Sequence, residues 1–395
     1  MRRATVLLVL GCLVLAGCGS SVERRAVDGL VDSWTGGPFY ELPNPVAAGA
    51  PGAVVRTERL GSAPDGATAW RVLYHSRDVN DADLLTSGVV VAPSGPAPAG
   101  GRTVVSWAHP TTGTAPRCAP SVGADPFDLM EGLSDLLAAG YVVAAADYPG
   151  MGAAGPPSYL IGVTTGNAVL DAARAARTIP EAGASQRLLL WGHSQGGHAA
   201  LFAGQLAATY APELTLAGVA VAAPATDLGD LLTADIVDVS GVTIGSYAFQ
   251  AYATAYNAPL DTILTPDGVT ATPKMAALCL LGQNAQLHDI AGPLVGRYLA
   301  ADPTRTQPWA GLLAANTPGA ARLPVPLYVA QGEADTLVRP QVTAAFVAKE
   351  CSLGTRVTSV TLPGVDHGGI AFDALPTVVP WLKNAEAGTV SASTC

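Results

Sequence analysis

Three apolar runs, Thr103-Val104-Val105-Ser106-Trp107, Tyr141-Val142-Val143-Ala144-Ala145 and Arg187-Leu188-Leu189-Leu190-Trp191, alternate with stretches long enough for helices. A strand without a polar side has to be covered on both faces, so this alternation predicts a mostly parallel central sheet with helices above and below it. Helices are expected over 127–139, 162–178 and 196–210, with a further strand over 216–222. Ahead of them, 54–58, 70–74 and 88–91 read as short β-rich runs that pair as hairpins. Between 225 and 323 the alternation lapses into a stretch rich in Gly, Pro, Thr and Asp, which suggests a separately folded insertion. The pattern then resumes with strands over 326–330 and 356–362 and helices over 340–350 and 370–384.

Composition bounds the remainder. Of 395 residues 49% are apolar and 13% charged, against a usual charged share of roughly 25%, so a large core is affordable and a disordered chain is excluded. With 21 Lys+Arg against 31 Asp+Glu the formal charge is −10, which leaves no basic surplus for a nucleic-acid backbone. The mean hydropathy is positive, yet the longest apolar run, 6–16, is shorter than the roughly 20 residues of a membrane span.

That run follows Arg2 and Arg3 and ends in Leu15-Ala16-Gly17-Cys18. The layout is that of a signal peptide over 1–18, and the small pair before Cys18 resembles the bacterial lipobox, in which the cysteine is acylated. Export is therefore expected, either as a lipoprotein held on the outer side of the membrane through Cys18 or as a secreted protein. Residues 20–41 read as a polar tether within an extension over 19–52. Export also makes the other cysteines candidates for disulfides: Cys118, Cys279, Cys351 and Cys395 allow three pairings, and none stands in a CxxC pair or at zinc spacing.

The residues that carry chemistry sit at strand ends. Gly192-His193-Ser194-Gln195-Gly196-Gly197 joins an apolar strand to an Ala-rich helix, the setting a GxSxG nucleophile elbow requires. A serine nucleophile needs a base, and the base an orienting carboxylate. Asp335 follows the strand over 326–330 and His367 the strand over 356–362, giving the order Ser, Asp, His. Glu333 and Asp366 are the competing acids. The remaining histidines, His75, His109, His193, His198 and His288, read as ordinary core or surface hydrogen-bonding residues, with no metal-binding pattern among them. For a developing oxyanion the first donor is the Gln195 N–H. The second belongs to Ala108-His109-Pro110-Thr111-Thr112-Gly113; Pro110 has no N–H, which favours Thr111, then Thr112. The turn over 147–152 is either an acyl-pocket wall or structural, and the helix bearing Asn167, Asp171, Arg174 and Arg177 reads as a solvated face.

On the stretches 191–198, 107–113 and 159–162 the chain resembles the secretory lipase family of α/β-hydrolases, which includes fungal lipase A-like enzymes and actinobacterial exported homologues. The likeness runs from about residue 53 to the C-terminus. Pro110, where many proteins of the wider fold have glycine, is its departure. The resemblance implies an esterase or lipase acting on acyl esters, with triacylglycerols among the candidate substrates, without a cofactor or metal. It also implies a core over 53–224 and 324–395, a mainly helical cap over 225–323, and disulfides Cys118 to Cys279 and Cys351 to Cys395. Acyl transfer to a cell-envelope acceptor with the same triad, peptidase activity, and a non-catalytic surface binding role are the alternatives. Oligomeric state is not legible in the sequence.

Overall fold

The computed structural model describes residues 37–123, 125–390 and 393–395. The proposed signal, Cys18 and most of the tether lie outside them. Nine strands form one sheet: β1 (Val54–Leu60), β2 (Ala67–Arg77), β3 (Asp83–Pro93), β4 (Arg102–Ala108), β5 (Val142–Ala146), β6 (Ala184–His193), β7 (Thr215–Ala222), β8 (Leu327–Gly332) and β9 (Val357–Leu362). Their order is β1-β2-β3-β5-β4-β6-β7-β8-β9. The first three pair antiparallel, β3 meets β5 antiparallel, and every pairing from β5 to β9 is parallel. This is the mostly parallel sheet the strand pattern predicts, and its arrangement is the α/β-hydrolase one that the resemblance implies.

Helices cover both faces. The order is α1 (Leu133–Ala138), α2 (Gly162–Arg177) and α3 (Gln195–Tyr210), then α4 (Leu228–Asp235), α5 (Val239–Tyr256), α6 (Pro266–Ala276), α7 (Asn284–Ala291) and α8 (Trp309–Ala315) between β7 and β8. The chain closes with α9 (Pro340–Ser352), α10 (Ile370–Asp373) and α11 (Leu375–Glu386). Strand side chains alternate between two cores: Leu188 and Leu190 join Leu170 and Leu201 of α2 and α3, while Leu189 and Trp191 join Leu136, Val378 and Leu382 of α1 and α11. That period of two is why the strands look apolar throughout. A third core, with Tyr247, Phe249, Tyr252, Met275 and Trp309, unites α4 to α8 with residues 159–161. No helix among the described residues is long and apolar enough to cross a membrane.

Three local readings change. The helix expected from 127 begins at Leu133, because Gly132 sits at φ 82° and a β-carbon there would lie 2.4 Å from Leu375 Cδ2. The last helix is two helices, since Pro376 in the first turn of α11 has no N–H to continue α10. The expected solvated face of α2 is only half realised: Arg177 is exposed and Arg174 partly so, but Asn167 is 4% and Asp171 0% exposed. The Asp171 carboxyl accepts from Arg174 (2.8 Å) and from the Tyr210 hydroxyl (2.7 Å); burial raises its pKa and these bonds oppose the shift. The described end of the expected tether also packs on the core, with Phe39 and Tyr40 buried, Tyr40 bonded to Ser121 at 2.6 Å, and Arg71 lying over both rings.

Candidate active site

Ser194 stands between β6 and α3 with φ 57° and ψ −118°, a conformation that costs a non-glycine residue of order 1–3 kcal/mol. The strain is enforced by close packing: a β-carbon on Gly196 would lie 1.8 Å from the Ala108 carbonyl oxygen, and one on Gly192 would lie 2.2 Å from that of Gly196. Strand β6, the loop after β4 and helix α3 can approach this closely only with glycine at both places. The serine is thereby pushed out at the carboxyl end of the parallel strands, where sites gather in open α/β sheets.

Asp335 and His367 come to it from the loops after β8 and β9. His367 Nε2 lies 2.9 Å from Ser194 Oγ, and its Nδ1 lies 2.7 Å from Asp335 Oδ2. A carboxylate only accepts, so Nδ1 carries the proton and Nε2 is left to accept from the serine hydroxyl. Asp335 is 3% exposed, and its Oδ1 accepts the N–H groups of Leu337 and Val338, each at 2.9 Å. Of the competing acids, Asp366 Oδ1 accepts from the Gly369 N–H at 2.9 Å.

Gln195 is the first residue of α3, where main-chain N–H groups have no partner within the helix and the dipole favours negative charge. Thr111 faces the same cavity, its hydroxyl 2.8 Å from that of Tyr159. From Ser194 the cavity runs under α4 and α5, between Leu228, Leu231, Leu232, Ile244, Ala248 and Phe249, with Leu160, Leu313 and Val338 opposite. Its wall also carries a carboxyl, Asp235, whose burial pushes its pKa up to about 7 while Arg339, 3.2 Å away, opposes the shift. Disulfides join Cys118 to Cys279 and Cys351 to Cys395.

The turn over 147–152 lies outside this cavity. Asp147 is buried, accepts from Ser87 Oγ at 2.6 Å and from the Ser121 N–H at 3.0 Å, and burial raises its pKa. His109 lies between the carbonyls of Pro110 and Asp147, and burial lowers its pKa. His198 is buried with Nε2 2.7 Å from the Asn316 carbonyl oxygen, and burial pulls its pKa down to about 4. His75 pairs with Asp83 at 2.9 Å, and His288 lies on α7. One contact went unread in the sequence: Glu131, 4% exposed, meets His193 at 2.6 Å. Glu131 stands amid Phe127, Leu129, Met130, Leu133 and Leu136, but Asp128 and Asp135 flank it, so nothing in the sequence singled it out.

Residues 128–393, which include Ser194, Asp335 and His367, match the secretory lipase family. A lipase A of Moesziomyces aphidis is 23% identical over all of this chain and 89% of its own length. A probable inactive lipase of Mycobacterium tuberculosis is 30% identical over 49% of this chain and 46% of its own. The crystal structure of Candida antarctica lipase A in its closed state superposes with a TM-score of 0.75 at 20% identity, covering 91% of this chain and 87% of that one. At that identity the superposition establishes a shared fold, and the family match does more: the chain belongs to the secretory lipase family.

Proposed function

We propose that the protein is an exported serine esterase or lipase that hydrolyses acyl esters through an acyl-enzyme on Ser194. The observation that carries the reading is the relay from Ser194 Oγ to His367 Nε2 at 2.9 Å and from His367 Nδ1 to Asp335 at 2.7 Å, set at the end of an apolar cavity. Ser194 Oγ forms a bond to the ester carbonyl carbon as its proton passes to Nε2. The carbonyl oxygen becomes an oxyanion, held by the N–H of Gln195 and by Thr111, a type of contact worth about 10²–10³ in rate. On collapse the carbon–alkoxy bond breaks, and Nε2 returns the proton to the leaving alcohol. Water, deprotonated by the same nitrogen, then releases the acid and restores Ser194.

The helices between β7 and β8 act in this reading as the cap, and the apolar wall of α4 and α5 receives the acyl chain. Family membership supports ester hydrolysis, and the wall chemistry supports an aliphatic acyl group over a peptide. Because one similar protein is named a probable inactive lipase, the test is direct. The wild type should release free acid from aryl acyl esters and be labelled at Ser194 by an organophosphate, while Ser194→Ala should do neither. Full activity in Ser194→Ala, or no labelling of the wild type, overturns the assignment.

A further inference from the structure

Two buried polar side chains stand directly behind the relay without belonging to it. His193, immediately before the nucleophile, is 3% exposed, and Glu131, from the turn ahead of α1, is 4% exposed. His193 Nδ1 lies 2.6 Å from Glu131 Oε1. The Glu131 main-chain oxygen accepts from Trp191 Nε1 at 3.0 Å, so this acid is bound to β6 through both its side chain and its backbone. The His193 ring lies against the His367 ring, with centroids 4.9 Å apart and planes 42° to each other.

The proton count decides what this arrangement does. The carboxylate can only accept, so His193 Nδ1 donates to it. Among the described residues neither His193 Nε2 nor Glu131 Oε2 has a hydrogen-bond partner. A cationic His193 would bury an unpaired N–H and set a positive charge against a ring that must itself become cationic as Ser194 attacks. With a neutral His193 the pair carries the single negative charge of Glu131. The other groups that bear on it are His109 and Tyr148, within Coulombic reach of Glu131, and Asp335 on the far side of His367. Burial lowers the pKa of His109. Asp366, next in the chain to His367, is engaged by the Gly369 N–H.

We propose that Glu131 and His193 are a positioning pair for His367. Ring contact from His193 fixes the plane of the imidazole that Asp335 holds by its edge, and the Glu131 charge behind His193 favours the imidazolium formed during acyl transfer. The inference rests on the reading of Ser194 as nucleophile and His367 as base.

The test compares wild type, Glu131→Gln, His193→Phe and Ser194→Ala on a soluble short-chain aryl ester across pH. Glu131→Gln keeps the shape and a hydrogen-bond acceptor and removes the charge. It should lower kcat about three- to tenfold with KM within about twofold, and move the acid limb of the kcat/KM profile to lower pH by about half a unit. His193→Phe keeps a ring against His367 and leaves the buried Glu131 carboxyl without its donor, which favours the uncharged acid, so it should move the acid limb the same way; it also serves if Glu131→Gln fails to fold. Wild-type kcat with an unmoved acid limb overturns the pair, as does an activity loss that follows the melting temperature alone. If Ser194→Ala is inactive while Glu131→Gln behaves as wild type, only this inference falls. If Ser194→Ala is active, the underlying reading falls.

Discussion

Asp335 holds His367 through one carboxylate oxygen at 2.7 Å while its other oxygen is pinned by two main-chain N–H groups of its own loop, those of Leu337 and Val338. The acid cannot turn without breaking both, so the β8 loop sets the direction of the imidazole. Asp335→Asn should therefore lower kcat by about 10³–10⁴ through the wrong imidazole tautomer, with the fold retained by circular dichroism. A loss under tenfold would move the acid role to Asp366 or Glu333, and the same substitution at each would identify which.

Cavity shape predicts acyl-chain preference. Ala248 is 8% exposed and lines the wall of α5, so Ala248→Phe places a ring where the chain would run. Turnover of short aryl esters should stay within about threefold, while esters of long acids lose tenfold or more in kcat/KM. An unchanged ratio across a chain-length series would show that the acyl group lies elsewhere.

Burial of His198 makes stability sensitive to acid. Its pKa is lowered to about 4, against roughly 6.5 in an unfolded chain. Between those values the unfolded state holds a proton that the folded state cannot, so stability falls as pH drops through this window, by up to about 1.4 kcal/mol per unit. His198→Gln preserves a donor toward the Asn316 carbonyl and should flatten the dependence of denaturant midpoint on pH between 4 and 6.5. A slope equal to the wild type would assign the acid sensitivity to another group.

The Cys118 to Cys279 disulfide closes a loop with a sequence separation of 161. Replacing both cysteines by serine should cost about 2–4 kcal/mol in unfolding free energy. Urea melts of the double variant against the wild type measure it, and equal midpoints would refute a stabilising role.

That Ser194, Asp335 and His367 come together was legible because each position depends on local order: an apolar strand, then a short loop, with the polar side chain at its end. The sheet was legible for the same reason, through the two-core alternation of Leu188, Leu189, Leu190 and Trp191. What escaped was set by tertiary packing. Asn167 and Asp171 have the chemistry of surface residues and sit in the core, because the Arg77 carbonyl and the Tyr210 hydroxyl arrive from other elements to bond them, with Arg174 one turn along α2 completing the Asp171 pair. Glu131 was hidden likewise, its partner being 62 positions downstream.

The loop that carries Thr111 is laced to the chain between α6 and α7 by more than sulfur. Thr114 Oγ1 donates to the Ala276 carbonyl at 2.8 Å, Arg117 to that of Ala277 at 2.7 Å, and the Leu280 N–H to that of Thr112 at 2.9 Å, all beside the Cys118 to Cys279 bond. Covalent and hydrogen bonds together make these two stretches one mechanical part. A hinge that lifted the helices around Cys279 would drag the Thr111 loop away from Ser194 with them. The Thr111 face and the stretch around Cys279 therefore keep a fixed mutual register, and neither can be displaced far without carrying the other.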